Sequence, residues 1–286
     1  MKSIENEQLK TIVNELRQIT DMLLLQGTLT ECPGLVHGKM GIAIFFFHYA
    51  QYTGNELFAD YAMDLINEIL EQIHVNNPAN YETGIAGIGV GIDYLIRNDF
   101  LTTEDDICED IDQRMVRALL YDPLSNFSQY DGLTGYGRYW VTRFFNKTSS
   151  KQAQKCLFYI IGKIEEQLTN IQVQEKTDVY CFLHDLCQIQ DFEACNSILR
   201  QLKEQTVNNF SRLCCSYVGT IVQMYQQNRY FNFVRQNEIN VMLTKIPGLD
   251  MEKIPVSTGL LNGYAGEGMI RLTTLEPSII SWMNLL

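Results

Sequence analysis

A short glycine motif recurs along the chain at a nearly constant spacing, and this repetition is the strongest constraint on how the chain can fold. In each copy two glycines are separated by two residues and followed by an apolar stretch. The second glycines of the four complete copies are Gly41, Gly87, Gly135 and Gly266. The first three lie 46 and 48 residues apart. A regular spacing of this size indicates a repeated structural unit.

Two degenerate copies extend the series. In one of them Ser216 replaces the first glycine, and the second glycine is Gly219, 47 residues before Gly266. The other copy is predicted at residues 183–188, where both glycines are replaced. Its spacing is irregular, because it ends 53 residues beyond Gly135 and only 31 before Gly219. The sequence therefore predicts that a stretch has been lost or rearranged there.

The spacing fits a hairpin of two helices, and 286 residues hold about six such hairpins. Apolar residues recur every three or four positions in residues 6–26 and 56–73, as on one face of a helix. The sequence predicts an all-α fold, either a closed α/α barrel (toroid) of about six helical hairpins with Gly-x-x-Gly turns or an open solenoid. We favour the barrel, as one domain over residues 1–286. Inner helices would follow each motif, and outer helices would include residues 103–120.

Charge and composition exclude several functions. Acidic residues outnumber basic ones 34 to 22, which gives a formal charge of −12, whereas nucleic acid and anionic membranes attract clustered cations. No segment approaches the roughly 20 apolar residues of a membrane span, and the polar N-terminus lacks a secretory signal. We therefore expect a cytoplasmic protein without a nucleic-acid partner or a membrane span. Its eight cysteines would be reduced thiols.

Polar and metal-binding residue types are concentrated directly before the first glycine of each copy. If every copy places this turn at the same end of its hairpin, these residues surround one mouth of a barrel. In chain order they are His37, Thr83, Asp131, His184, Cys215 and Asn262. One position earlier, Glu82 precedes Thr83 and Cys214 precedes Cys215. This ring is the predicted functional site.

Three kinds of chemistry are open to this ring. Cys214, Cys215 and His184 are residue types that bind zinc, and they would leave a fourth position for a substrate thiol or water. Glu82 and Asp131 could share acid–base work as paired carboxylates. Alternatively, the ring only forms hydrogen bonds between turns, since Asp and Asn are natural residues in turns and at helix N-caps.

The repeated motif resembles that of the lanthionine synthetase C-like family. Residues 257–272, Ser-Thr-Gly-Leu-Leu-Asn-Gly-Tyr-Ala-Gly-Glu-Gly-Met-Ile-Arg-Leu, look like the last repeat of that family, and residues 36–50 look like its first. The resemblance implies an α/α barrel of helical hairpins. It also implies cyclase chemistry, in which zinc held by cysteine and histidine activates a peptide thiol that adds to a dehydrated residue and forms a thioether.

Residue by residue, the resemblance implies zinc ligands at Cys214 and Cys215, where Cys215 replaces a histidine of the family, or at Cys214 alone; His184 joins them as a candidate ligand on its chemistry. It implies catalytic proton transfer by His184 and by Asp131, which is displaced towards the turn from the family's aspartate position near Ser128. This chain departs from the family pattern at the metal repeats, because one repeat and at least one ligand are missing. We therefore expect the zinc site to be absent or altered.

Three functions follow from these observations. The first is an enzyme that modifies a ribosomally made peptide, by thioether cyclisation if a zinc site survives. The second is a non-catalytic barrel that binds a peptide or a partner protein, which the altered metal repeats favour. The third is a carbohydrate-active barrel that uses Glu82 and Asp131.

Overall fold

The computed structural model describes residues 2–74, 76–102, 106–123, 126–146, 150–190, 192–203, 216–249 and 257–286. Every regular element within these ranges is a helix, which confirms the all-α prediction. In chain order the elements are α1 (Lys2–Gln26), α2 (Lys39–Thr53), α3 (Glu56–Glu71), α4 (Ile85–Arg97), α5 (Glu109–Tyr121), α6 (Leu133–Asn146), α7 (Lys151–Gln167), α8 (Val173–Ile189), α9 (Glu193–Lys203), α10 (Tyr217–Phe231), α11 (Gln236–Leu243), α12 (Tyr264–Leu275) and a 3₁₀ helix (Pro277–Leu285). None of the helices in these ranges is long and apolar enough to cross a membrane.

Two of the predicted helices agree with the structure and a third begins later. Residues 6–26 lie within α1, and the helix predicted at 56–73 is α3. The outer helix predicted from residue 103 begins only at Glu109. The Asp106 carboxylate accepts a hydrogen bond from the Cys108 N–H (3.2 Å), which holds this stretch in a turn before the helix. Residues 103–105 lie outside the described residues.

Consecutive helices pack in pairs, as the hairpin prediction requires. These pairs are α2 with α3, α4 with α5, α6 with α7, α8 with α9, and α10 with α11. The helix of the last motif, α12, packs against α1 instead. An ion pair secures this contact, because the buried Arg271 of α12 places its Nε 2.9 Å from the Glu15 carboxylate of α1. The described residues therefore form five sequential hairpins and a sixth pair made of α12 and α1.

The chain forms two compact units. Unit 1 comprises Met1–Ile73 and Arg212–Leu286, and unit 2 comprises His74–Ser211. In unit 2 the inner helices α4, α6 and α8 pack side by side in chain order. In unit 1 the order is α10, α12 and α2, so the helix of the last motif is followed in space by the helix of the first. The single domain predicted from the sequence stays a prediction.

The complete glycine motifs build one turn repeatedly. The N–H of the first helical residue donates a hydrogen bond of 2.9–3.1 Å to the carbonyl oxygen seven residues earlier. The donor and acceptor pairs are Lys39 with Cys32, Ile85 with Pro78, Leu133 with Asn126, and Tyr264 with Ser257. This close turn requires glycine at the helix N-cap, because a Cβ on Gly38, Gly84 or Gly263 would lie 2.2–2.5 Å from a backbone carbonyl oxygen. The predicted Gly-x-x-Gly turns are therefore confirmed.

Neighbouring inner helices are joined through these turns in a fixed register. In one copy, the N–H groups of the residues three and two before the first glycine both donate to a single carbonyl oxygen. That oxygen belongs to the neighbouring copy, to the residue two before its first glycine. The groups are Tyr81 and Glu82 with Tyr130 in unit 2, at 2.9 and 3.0 Å, and Leu260 and Leu261 with Val36 in unit 1, at 2.8 and 3.4 Å. The last repeat therefore meets the first as one sequential repeat meets the next.

The prediction of a motif copy at residues 183–188 is wrong, because these residues lie inside α8 rather than at its start. The register of aromatic rings shows where the true copy lies. Phe45 and Tyr139 each stand seven residues after their own first glycine, and each ring fills the space beside a glycine of the neighbouring inner helix. Phe182 of α8 fills the space beside Gly137 in the same way.

Counting back seven residues from Phe182 places Glu175 and Asp178 at the two glycine positions of α8. Gly135 and Gly41 are the second glycines of their copies. Each lies close to one residue of the neighbouring copy, the residue three positions before that copy's first glycine. Asp178 contacts the matching residue, since its carboxylate accepts a hydrogen bond from the Gln129 N–H (2.9 Å). The spacing of the repeats is therefore more even than the sequence indicated, and a side-chain bond replaces the close glycine contact.

Candidate functional site

The two units present different side chains on the same turn backbone. We call residues 35–37 and 260–262 the unit 1 loop row, and residues 81–83 and 129–131 the unit 2 loop row. At the positions that join neighbouring turns, the unit 1 loop row has four buried aliphatic residues, Leu35, Val36, Leu260 and Leu261. The unit 2 loop row has Tyr81, Glu82, Gln129 and Tyr130 there. Polar chemistry is therefore concentrated in the unit 2 loop row.

A partly exposed arginine lies against this row. The Arg138 guanidinium carbon is 4.9 Å from the centroid of the Tyr81 ring, which is a cation–π contact. Arg138 stands six residues after the first glycine of its copy, a position that is buried and apolar in other copies, as at Ile44, Val90 and Met269. The departure from this pattern is the sequence signal that could have identified Arg138, and it was missed.

We define the Arg138 cluster as Arg138 together with two tyrosines and two carboxylates. Its members are Tyr81, Tyr130, Arg138, Asp178 and Asp185. Burial raises the pKa of Tyr130, and the Asp178 charge acts in the same direction while Arg138 opposes it. Burial also raises the pKa of Tyr81. The Arg138 charge opposes this shift, and the Asp185 charge adds to it. Both hydroxyls therefore stay protonated at neutral pH, beside groups of both charges.

Asp178 is fixed in this cluster by the degenerate copy on α8. Its carboxylate accepts the Gln129 N–H of the preceding loop, so its charge is held at the junction of α6 and α8. Sequence reasoning missed Asp178 because the copy was placed too far along the helix. The amphipathic start of α8 offered no glycine to mark the correct register.

His184 is not in a turn, so that part of its prediction is wrong. It lies in the second half of α8, with 30% of its side chain exposed. Its ring stacks on Tyr180 with centroids 6.2 Å apart, and its Nδ1 is 3.8 Å from an Asp185 carboxylate oxygen. His184 is therefore next to the Arg138 cluster through Asp185. Its catalytic and metal-binding roles stay predictions.

Asp131 lies where the sequence predicted it, in the turn before α6, and is exposed. The Asn126 amide donates a 3.3 Å hydrogen bond to its carboxylate. The Glu82 backbone N–H donates to the carbonyl oxygen of Tyr130, the residue before Asp131. The structure thus brings the backbone of Glu82 to the Asp131 turn, while shared acid–base work by these two carboxylates stays a prediction.

Thr83 forms hydrogen bonds within its own turn. Its backbone N–H and its hydroxyl both donate to the Asn80 side-chain oxygen, at 2.9 and 3.2 Å. The hydroxyl and the side-chain amide therefore stabilise the turn before α4. The third interpretation expected the ring to form bonds between turns, and it stays a prediction.

Cys214 and Cys215 lie outside the described residues. Among the described residues no three His, Cys, Asp or Glu side chains come together as a metal site. The six described cysteines are thiols that form no disulfide with one another. Burial raises the pKa of Cys108 and of Cys156 to about 12, which makes both neutral thiols rather than nucleophiles or ligands.

Comparison of the sequence with protein-family models and with curated proteins finds no match in either. The resemblance to the lanthionine synthetase C-like family therefore rests on the repeated motif alone.

Proposed function

We propose that the chain is a peptide-binding protein of the lanthionine synthetase C-like type, acting in the cytoplasm in the modification of a ribosomally made peptide. The Arg138 cluster would hold the peptide. The observation that carries the proposal is the placement of Arg138 on the polar loop row, at a position that other copies keep apolar.

The chemistry of the cluster suits a peptide. A guanidinium offers several N–H donors to carboxylate or backbone carbonyl oxygens. Asp178 and Asp185, which are partly exposed, supply acceptors for N–H groups or cationic side chains. Arginine is also one of the side chains that contribute most to binding at protein interfaces, whereas the buried Tyr81 and Tyr130 would support Arg138 from below.

The family type and the closed barrel are parts of the same proposal. They are supported by the repeated turn with its hydrogen bond to the carbonyl seven residues earlier. They are also supported by the contact in unit 1 between the last repeat and the first, in the register of sequential repeats. A barrel would bring all of these turns to one mouth.

Selection from a random peptide library displayed on phage tests the proposal. The full chain is immobilised, and one enriched peptide is then synthesised and its Kd measured by fluorescence anisotropy. We expect Arg138→Ala to weaken binding about tenfold or more, since a central arginine is a typical binding hot spot. Arg117→Ala, which removes an exposed arginine from α5, is the matched control and should bind like the wild type. Failure to enrich any peptide, or equal binding by both variants, would reject the proposal.

Thioether cyclisation is the second candidate, and the start of α10 favours it. The Ser216 side chain accepts the Gly219 N–H (3.0 Å) and caps α10 at the position of Gly38 and Gly263. Cys214 and Cys215 thus directly precede a motif helix in the sequence, as the metal ligands of the resembled family do.

Zinc content separates the two candidates. It is measured by mass spectrometry on the full chain purified without added metal, for the wild type and the Cys214→Ala/Cys215→Ala variant. About one zinc per chain that is lost in the variant would support the enzyme. A folded wild type without zinc would leave the binding protein.

A further inference from the structure

Four leucines at the junction of α1 and α3 are exposed. The exposed fractions are 37% for Leu24, 68% for Leu25, 77% for Leu29 and 71% for Leu57. We call these residues the Leu57 patch. Single exposed leucines are common on protein surfaces, whereas several together mark a binding surface.

Contacts of Tyr61 bring the end of α1, which contains Leu24 and Leu25, against α3, which contains Leu57. The Tyr61 hydroxyl of α3 donates to the carbonyl oxygens of Leu23 and Leu24, at 3.4 and 3.5 Å. The end of α1 and the following turn therefore lie against the first half of α3. Leu57 lies one helical turn before Tyr61, on the same face of α3.

An acidic row borders this patch. Glu56, Asp60 and Asp64 follow one another at intervals of four along α3, and all three are exposed. The helix contains no basic residue, and within the described part of the chain none of the three carboxylates forms an ion pair. Like charges four residues apart destabilise an isolated helix. Repulsion within the row therefore lowers helix stability, and no cation of the described residues pairs with it.

We propose that the Leu57 patch and the acidic row together dock a cationic amphipathic helix of a partner protein. The apolar face of that helix would cover the four leucines, and its Lys or Arg side chains would pair with Glu56, Asp60 and Asp64. Charge complementarity identifies the occupant, because the charged row that follows Leu57 along α3 is acidic. The inference is independent of the proposed peptide site in unit 2.

The probe is a synthetic 18-residue helix of leucine and lysine, with leucines spaced three and four apart, and its counterpart with glutamate in place of lysine. Fluorescence anisotropy with the full chain gives the Kd of each. We expect the lysine peptide to bind with strong salt dependence and the glutamate peptide to bind at least tenfold more weakly.

Two variants separate the apolar and the charged contributions. Leu29→Ser/Leu57→Ser and Glu56→Gln/Asp60→Asn/Asp64→Asn should each weaken binding of the lysine peptide about tenfold. The matched controls are Leu120→Ser/Val173→Ser and Glu109→Gln/Asp110→Asn/Glu165→Gln, which change exposed residues on other helices. Because all of these residues are exposed, the variants are expected to fold like the wild type.

Three results would overturn the inference. Equal binding of the two peptides would show contact without charge recognition. Equal weakening in the patch variants and their controls would place the peptide elsewhere. Self-association in sedimentation that is abolished by Leu29→Ser/Leu57→Ser, without binding of the lysine peptide, would identify a second copy of the chain as the occupant.

Discussion

The unit 1 and unit 2 loop rows use one backbone for two purposes. In both, paired N–H groups donate to a carbonyl of the neighbouring turn, at Val36 in unit 1 and at Tyr130 in unit 2. The unit 1 loop row surrounds this bond with buried leucines and a valine, whereas the unit 2 loop row surrounds it with tyrosines, a glutamine and a glutamate. The glycines thus determine the turn, and the residues between them determine its chemistry.

Two arginines show the same contrast. Arg271 in unit 1 is 1% exposed, with Nε bound to Glu15 and Nη1 bound to Glu267. Arg138 in unit 2 is partly exposed and lies over an aromatic ring. We interpret the first as structural, and we propose that the second contacts the peptide.

Removal of Arg271 should have the largest effect on stability. Arg271→Ala leaves two carboxylates close together without their counter-charge, which costs about 3–5 kcal/mol when a buried pair is broken. Urea unfolding of the full chain measures this loss. Arg138→Ala should cost less than about 1 kcal/mol in the same measurement, as expected for a partly exposed group. Similar losses for both variants would remove the distinction between the two arginines.

A methyl group at the second glycine should be equally harmful in both units, because the backbone is shared. A Cβ on Gly266 would lie 2.0 Å from the Leu260 carbonyl oxygen, and one on Gly135 would lie 2.2 Å from that of Gln129. We expect Gly266→Ala and Gly135→Ala each to lower the free energy of unfolding by about 3 kcal/mol.

Gly162→Ala is the control for these two variants. No atom lies within 4 Å of a Cβ built on Gly162 in the middle of α7, so this change should stabilise the chain by about 0.5–1 kcal/mol. A large difference between the Gly266 and Gly135 variants would show that the two turns are not equivalent.

The apolar interior of unit 1 should make stability depend on pH through His48. Burial lowers the pKa of His48 on α2 from 6.5 to about 4. The neutral imidazole is therefore favoured in the folded state, and its contribution to stability is present above pH 6.5 and lost as the pH falls towards 4. Between pH 7 and pH 4.5 we expect a loss of about 2 kcal/mol from this group.

Comparison with His48→Gln isolates this contribution, because the variant keeps every other titrating group. Urea unfolding at both pH values should show a smaller decrease for the variant than for the wild type. Equal decreases would mean that His48 is not buried as the structure shows.

The sequence predicted the features that depend on the backbone and missed those that depend on register. Glycine spacing predicted helical hairpins and their turns, because only glycine fits beside the carbonyls at Gly38, Gly84 and Gly263. It misplaced the copy on α8, because neither Glu175 nor Asp178 is a glycine that would mark the register. The packing of Phe182 on Gly137 and the hydrogen bond from the Gln129 N–H to Asp178 make that register visible.

The candidate site was predicted in part. Asp131 lies in its expected turn, whereas His184 lies inside a helix, and Cys214 and Cys215 lie outside the described residues. The Arg138 cluster was missed because its members come from two turns and two helices, and no short motif in the sequence joins them.

Hydrogen–deuterium exchange with a bound peptide distinguishes the two loop rows. We propose that the unit 2 loop row binds the peptide and that the unit 1 loop row only holds the fold. With the peptide selected on the full chain, we predict slower exchange at residues 81–84 and 129–132 and unchanged exchange at residues 35–38 and 260–263. Protection of the unit 1 loop row instead, or of neither row, would contradict the account.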